Sequence, residues 1–230
     1  MNQTPHIPNL THLSGHLAEI LTNDNPGALL TQAGPFMDLM MRYNCALREV
    51  KTKFEVLNDE FTVRYKRNPV ESIQTRIKKP ISILEKLERR GYPATVESVQ
   101  ENLNDVAGIR IICSFLDDIY ELVDMFTAQD DIRVLAIKDY IKNPKPNGYR
   151  SLHLIIEIPI FLSDHKDQIK VEVQFRTIAM DFWASLEHKL QYKKDIENAD
   201  EIAEQLSACA ERIAALDREM QEISRKIENE

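Results

Sequence analysis

Glycine is scarce in this 230-residue chain: there are six, and none falls in a GxxxxGK[ST] or GxGxxG pattern. That excludes the two common backbone cradles for phosphate, so any phosphate bound here must be held by side chains. Cysteine is scarce too. Cys45, Cys113 and Cys209 are odd in number, far apart and without a CxxC pair, which signals neither a disulfide framework nor a zinc site. No run approaches the roughly 18 apolar residues of a membrane span, and MNQTPHIPNL has neither the basic nor the apolar region of a secretory signal. A composition of 43% hydrophobic and 29% charged residues with net charge -8 predicts an ordinary soluble, cytoplasmic protein with reduced thiols.

The acidic balance argues against general nucleic-acid binding, but it conceals an asymmetry. Residues 64–90 hold nine Lys/Arg against three Glu, whereas residues 197–230 hold ten Asp/Glu against four Lys/Arg. A basic segment inside an acidic chain points to one focused anionic ligand.

Residues 1–33 read as a flexible arm, with at most a short helix around Leu10–Leu21; the spacing of His6, His12 and His16 fits no standard metal site. Gly34-Pro35 opens a long helix whose apolar positions Phe36, Met40, Tyr43, Leu47, Val50, Phe54, Leu57 and Phe61 alternate steps of four and three. Ile202, Leu206, Cys209, Ile213, Leu216, Met220, Ile223 and Ile227 repeat that rhythm. Two such helices can pair with each other or form a seam between subunits, and some of both is expected. The expected domains are thus the arm, a body over 34–196 that includes the first long helix, and a heptad helix over 197–230 for packing and oligomerisation.

Between the long helices the pattern predicts a helix over 78–90 ended by Gly91 and Pro93, and strands over Val106–Phe115, Ile132–Ile137, Tyr149–Ile158 and Ile169–Arg176. Asp117-Asp118 caps a helix running to about Ala128, and another runs from Ile178 to about Tyr192. In the last strand Ile169, Val171, Val173 and Phe175 face inward while Lys170, Glu172, Gln174 and Arg176 share the other face. The fold class is α/β (α+β): a mixed sheet of about four to five strands with flanking helices.

The chemistry concentrates in a few places. KDYIKNPKPNGYRSLH, residues 138–153, sets Lys138, Lys142, Lys145 and Arg150 around a Pro/Asn-Gly turn, then presents Tyr149 and His153. Cations for phosphate oxygens beside a ring face suit a planar base that carries phosphates; a solvated surface turn fits the segment alone equally well. Lys78, Ser82, Lys86 and Arg90 repeat at i, i+4, with Arg76 and Arg89 nearby, as for a polyphosphate strip or a solvated basic face. Asp105 and Glu172 break the basic pattern. Two carboxylates among cations suit Mg²⁺, which takes one or two carboxylates plus substrate phosphates; a strand-end cap and a simple ion pair are the alternatives.

RIKKPISILEKL (76–87), DVAGIRI (105–111), KDYIKNPKPNGYRSLH (138–153) and VEVQFRTIAMDFWASLEHKLQYK (171–193) together, in order and spacing, resemble the RelA/SpoT-type synthetase domain over roughly residues 36–225. The chain is similar to the small, stand-alone alarmone synthetases, and it has no His-Asp dipeptide of the hydrolase type. The resemblance implies transfer of the β,γ-pyrophosphoryl group of ATP to the 3′-hydroxyl of GDP or GTP, releasing AMP, within the bacterial stress response. It implies that Arg76 and Arg110 sandwich adenine and that Lys78, Ser82, Lys86 and Arg89 hold the ATP phosphates. Asp105 and Glu172 would bind Mg²⁺, with Glu172 also taking the proton of the 3′-hydroxyl. Tyr149 would stack on guanine while Lys138, Lys145, Asn147, His153 and Gln174 orient the acceptor nucleotide. Asp181 is the expected acceptor for the two N–H donors of the guanine edge.

The resemblance also implies a homo-oligomer, a tetramer being favoured, with no membrane and no obligatory nucleic acid as partner. Some small synthetases are activated by their own product between subunits; the corresponding positions here are Glu55, Asn58 and Ser72, and Glu55 repels phosphate, so no such activation is expected. Stacking by itself accepts any purine. An adenine nucleotide or a tRNA 3′ end as acceptor stays open at this point, as does a catalytically silent guanine-nucleotide-binding module.

Overall fold

A computed structural model describes the backbone over residues 26–191 and 199–228 and the side chains over 34–190 and 201–227. The three arm histidines and the stretch around Leu10–Leu21 lie outside the described residues. Two compact units divide the chain, residues 1–41 and 42–230, and every candidate site residue lies in the second.

The first helix, α1 (Pro26–Tyr65), begins earlier than Gly34-Pro35 and carries Pro35 inside it. Proline φ is helical, so the helix continues at the loss of one backbone bond. From Tyr43 onward the expected seam is buried: Tyr43, Leu47, Val50, Phe54, Leu57 and Phe61. Phe54 stacks on Phe126 at 4.4 Å and meets Phe175 edge-on at 5.5 Å. This seam therefore packs on the chain's own core.

The next element was not legible in the sequence. Val70–Ile77 forms β1, a strand rather than part of a basic run leading into a helix. Its sequence VESIQTRI has little apolar alternation because an edge strand needs only its backbone ladder and one partner. Asn58 Oδ1 accepts the Val70 N–H at 3.2 Å. Then follow α2 (Pro80–Arg89), α3 (Val96–Asn102), β2 (Ala107–Cys113), α4 (Leu116–Thr127), β3 (Arg133–Asp139), β4 (Leu152–Phe161), β5 (Lys166–Thr177), α5 (Ile178–Gln191) and α6 (Ala199–Glu228).

Local chemistry sets the boundaries. Gly91, at φ 73°, ends α2: its N–H reaches Glu88 O at 2.9 Å and the Tyr92 N–H reaches Leu87 O at 3.0 Å, a Schellman pair. Thr95 accepts the Ser98 N–H to start α3 at 3.1 Å, a short helix that sequence periodicity did not reveal. In α4 it is Asp118, from inside the first turn, that accepts the Phe115 N–H at 2.9 Å.

The five strands form one mixed sheet in the order β1-β2-β5-β4-β3, with β2 and β5 parallel and the other neighbours antiparallel. One face is apolar, built from residues such as Ile109, Ile111, Leu154, Ile156, Val171, Val173 and Phe175, all buried. The alternation expected in the last strand is present. The other face is polar and carries the site.

Helix α6 behaves differently from α1. It turns Ala210, Ala214, Asp217 and Gln221 inward, whereas Leu216, Met220, Ile223 and Ile227 are exposed. Thr177 donates to buried Asp217 at 2.7 Å, the Asp117 N–H donates to Gln221 at 2.9 Å, and Trp183 Nε1 donates to Leu206 O at 3.0 Å. The helix is thus docked on α4 and α5 by small and polar groups together with two apolar residues of its heptad stripe. Of that stripe, Leu206 and Ile213 pack against Trp183, Ala184 and Ala210, whereas the C-terminal part from Leu216 to Ile227 faces outward.

Candidate active site

Register makes the site. Gln74, Arg110, Gln174, His153 and Lys138 are successive partners across β1, β2, β5, β4 and β3, one continuous row. In the neighbouring row Arg76 pairs with Gly108 and Gly108 with Glu172. At about 4.8 Å between strands, Glu172 on the central strand lies roughly 10 Å from both Arg76 on β1 and the outer strand β3. Insertion of β5 between β2 and β4 thus puts one carboxylate between two groups of cations.

On the β1 side, antiparallel pairing sets the end of β1 against the start of β2, and the Lys78 N–H reaches Val106 O at 2.8 Å. Lys78 and Lys86 each place Nζ 2.6 Å from Asp105 Oδ2. Asp105 Oδ1 is buried with no hydrogen-bond partner. Burial pushes the Asp105 pKa up, but the two lysines outweigh it and hold the carboxyl below its usual value. Gln74, Arg76, Gly108, Arg110 and Gln174 line an open cleft of about 210 Å³. A Cβ on Gly108 would lie 3.3 Å from Arg76 Nε, so the missing side chain lets Arg76 lie across the sheet.

On the other side the 138–153 loop is ordered. Asp139 Oδ1 accepts the N–H groups of Ile141 and Lys142 at 3.0 Å each, and Asn147 Oδ1 accepts that of Tyr149 at 3.2 Å. Gly148, at φ 86°, turns the chain so closely against α6 that an added Cβ would lie 2.5 Å from that of Ala210. Lys145 Nζ sits 4.7 Å from the Tyr149 ring centre and 4.8 Å from that of Tyr140. Tyr149 Oη lies 2.9 Å from His153 Nε2, and His153 Nδ1 lies 3.5 Å from Glu172 Oε1. Gln174 donates to Glu172 Oε2 at 2.9 Å. Burial raises the Glu172 pKa, but hydrogen bonds from His153 and Gln174 more than offset it, despite the opposing charge of Asp105. Glu172 is therefore ionised at neutral pH.

Asp181, in the first turn of α5, has Oδ1 2.9 Å from Arg176 Nη1 and 3.3 Å from Arg110 Nη1. Asn147 is turned to Glu187 Oε1 at 3.2 Å. Ser82 is half-buried on α2, Arg89 is exposed in its last turn, and Lys138 is exposed on β3 opposite His153. Arg90 caps α2 and reaches Asn102 O at 3.4 Å, apart from the two lysines on Asp105.

Three participants escaped the sequence reading. Arg176 is 5% exposed, with Nη2 donating to Tyr149 Oη at 2.9 Å; its i, i+2, i+4 spacing from Glu172 and Gln174 was the available signal. Tyr140 stands edge-on to His153 at 5.3 Å. Tyr43 of α1 has its pKa pushed up to about 12, by burial and then by the charge of Asp105, and nothing local to its sequence signals that.

Residues 75–197 match the model of the region found in RelA/SpoT proteins. The chain belongs to the RelA/SpoT family. Among relatives, YwaC of Bacillus subtilis, named a GTP pyrophosphokinase, is 43% identical over 189 residues, which cover 82% of this chain and 90% of YwaC. YjbM of the same organism, with the same designation, is 35% identical over 190 residues, 82% of this chain and 88% of YjbM. Small alarmone synthetase 1 of Bacillus subtilis, solved with its product pppGpp, superposes with a TM-score of 0.75 at 34% identity, over 84% of this chain and 97% of that one. The mixed sheet with flanking helices of this chain thus matches the fold of that synthetase.

Proposed function

We propose that this chain is a (p)ppGpp synthetase, which moves the β,γ-pyrophosphoryl group of ATP to the 3′-hydroxyl of GDP or GTP and releases AMP. The observation that carries the reading is the position of Glu172: an ionised carboxylate on the central strand, between the Arg76/Arg110 cleft and the Lys145–Tyr149–His153 cluster. Relatives named for GTP pyrophosphokinase activity support it. Pyrophosphoryl transfer needs positioning and charge neutralisation more than covalent help. Arg76 and Arg110 offer two guanidinium groups over one cleft for adenine. Lys78 and Lys86, held by Asp105, stand beside them for the phosphates, with Ser82 and Arg89 on the same helix. Tyr149 offers a ring to guanine, Lys145, Lys138, His153, Gln174 and Asn147 surround the acceptor, and Glu172 takes the hydroxyl proton.

Mg²⁺ fits the residues present. Asp105 has one buried oxygen without a partner, and Glu172 is near enough for the two charges to interact. Held by these two carboxylates, the ion would neutralise phosphate charge. Asp181, gripping both arginines through Oδ1, is the candidate for the guanine edge through its other oxygen. The exposed stripe on α6 suits a homotetramer. No described helix is long and apolar enough to cross a membrane. The proposed enzyme is cytoplasmic and needs neither membrane nor nucleic acid.

The test supplies Mg²⁺, labelled ATP and, separately, GDP, GTP, ADP and tRNA to wild type, Asp105→Asn and Glu172→Gln. AMP and a pyrophosphorylated guanine nucleotide from wild type alone are expected. Transfer to ADP or tRNA in preference to guanine nucleotides, or full activity in either variant, overturns the reading.

A further inference from the structure

Stacking between two guanidinium groups holds a purine without telling adenine from guanine, because every base offers a π-face. A donor site for ATP that stands beside an acceptor site for guanine nucleotides therefore needs a polar group in the plane of the ring. The β1–β2 ladder supplies one. Gln74 pairs with Arg110 and, two residues along, Arg76 pairs with Gly108, so these positions are the corners of one cell on the polar face. Arg76 and Arg110 occupy one diagonal, about 7–8 Å long. That span fits one flat ring at a contact distance of about 3.5 Å on each face. The other diagonal runs from Gly108, which has no side chain, to Gln74.

The chain also fixes which end of the cell takes the phosphates. Beyond Arg76 comes Lys78, whose N–H reaches Val106 O at 2.8 Å and whose Nζ, like that of Lys86, is held by Asp105. Gln74 lies the opposite way, about 7 Å before Arg76 along the strand. A purine carries its ribose on N9 and its six-substituent at the far end of the ring. With the triphosphate at Lys78 and Lys86, that substituent points toward Gln74. The other groups lining the cleft are committed or cannot discriminate. Thr75 and Ile109 alternate to the opposite face, the two arginines only donate, and the Gln174 amide donates to Glu172 at 2.9 Å. Gln74 is exposed at the cleft, and among the described residues nothing is hydrogen-bonded to its amide.

We propose that Gln74 sets the specificity for adenine in the pyrophosphate donor: its Oε1 accepts from the N6 amine and its Nε2 donates to N7 of a ring held between Arg76 and Arg110. This rests on the synthetase reading above and adds to it a residue that selects the donor base. The amide matches that edge of adenine with one acceptor and one donor. Guanine presents two acceptors there, O6 and N7, and leaves Oε1 unpaired. GTP is thereby disfavoured as donor while it remains an acceptor at Tyr149.

The test compares three donors at saturating GDP: ATP, 7-deaza-ATP, which lacks the N7 acceptor, and purine riboside triphosphate, which lacks the N6 amine. In wild type each analogue should have a donor kcat/KM about 3–10-fold below that of ATP, the loss of one hydrogen bond. Gln74→Leu should lower kcat/KM for ATP about 5–150-fold, the range for one bidentate amide–adenine pair. The loss should fall mainly on the KM for ATP, with the KM for GDP within about twofold of wild type. The variant should also use the three donors within about twofold of one another. A substitution that merely distorts the cleft lowers all three alike and keeps their ratios. Equal use of the three donors by wild type, or wild-type ratios in Gln74→Leu, overturns the proposal. A wild type that makes no pyrophosphorylated guanine nucleotide from ATP overturns the synthetase reading instead. Calorimetric titration of ATP and 7-deaza-ATP into both proteins without acceptor still reads the contact in that event: a wild type that binds the two equally overturns the proposal, and a preference for ATP that Gln74→Leu loses upholds it.

Discussion

Replacing Gly148 by alanine places a methyl group where the acceptor loop meets α6. The new Cβ would lie 2.5 Å from the Ala210 Cβ and 3.6 Å from Ser207 Cα and O, against an ordinary carbon–carbon contact of about 3.5–4.0 Å. The backbone there has φ 86°, a conformation costing an L-residue about 1–2 kcal/mol. Overpacking adds about 1–3 kcal/mol. The least costly release is for the loop to lift from α6 by about 1 Å, the amount needed to restore normal contact, and Tyr149 is the next residue. At about 1.4 kcal/mol per tenfold, the KM for GDP or GTP should rise at least about tenfold, while the KM for ATP, proposed to bind at the far strands, should not change. A second substitution isolates the cause. Ala210→Gly removes the atom met at 2.5 Å, at a helix cost of about 1 kcal/mol, so the double variant should recover most of the acceptor KM although its melting temperature falls. Steady-state kinetics with each nucleotide varied in turn, and thermal melts of all three proteins, make the measurement. An unchanged acceptor KM in Gly148→Ala, an equal rise for ATP, or no recovery in the double variant would refute the coupling of α6 to the loop.

Four further outcomes are expected. Burial raises the Asp217 pKa above its ordinary 3.8, against the Thr177 hydrogen bond and the Arg218 charge; its contribution is thus fully present below the unfolded value and lost as pH rises through the folded one. Asp217→Asn should therefore melt higher than wild type at neutral pH and match it near about pH 3, where both carry a neutral side chain. Asp105 has the opposite sign: its pKa is lowered, burial being outweighed by Lys78 and Lys86, so its stabilisation is present above the unfolded value and lost as pH falls through the folded one. Asp105→Asn should abolish transfer and melt lower than wild type at neutral pH, the gap closing in acid; a gap that stays constant with pH would contradict this. Met220→Glu with Ile223→Glu, at positions each 49% exposed on α6, should shift sedimentation to a smaller species without changing the far-UV spectrum. Added alarmone should not stimulate the enzyme, since Glu55 pairs with Lys51 at 3.5 Å and Asn58 is bonded to the Val70 N–H; a several-fold rise in rate at micromolar product would show otherwise.

Much of the site was legible because it is written in short segments. Lys145, Asn147 and Tyr149 fall within one loop and His153 at the start of the strand that follows it, so turn chemistry and alternating parity place them together. Glu172 and Gln174 share a face by the period of a strand. The carboxylates Asp105 and Glu172 stand out because their neighbours are basic. The misses have a common cause. β1 is an edge strand that satisfies its backbone on one neighbour, so its sequence need not alternate. Arg176 was visible as a polar-face residue, but its burial depends on Tyr149 and Asp181, which come from other segments.

The sequence by itself determined most of the elements, β1 and α3 apart, and their chemistry: the apolar alternation of β5, the glycine stop of α2, the loop with one ring among lysines, and the absence of any glycine cradle. These follow from dihedral preference and local periodicity, which act over a few residues. Strand order and facing were decided only in the tertiary structure. β5 pairs in parallel with β2 and antiparallel with β4, which places Glu172 between two groups of cations far apart in the chain. The two heptad helices have the same pattern and different fates, α1 buried on Phe126 and Phe175 and α6 docked through Ala210, Ala214 and Asp217 with the stripe from Leu216 to Ile227 outward. A repeat specifies an apolar stripe; what covers that stripe depends on which surface the rest of the fold brings to it.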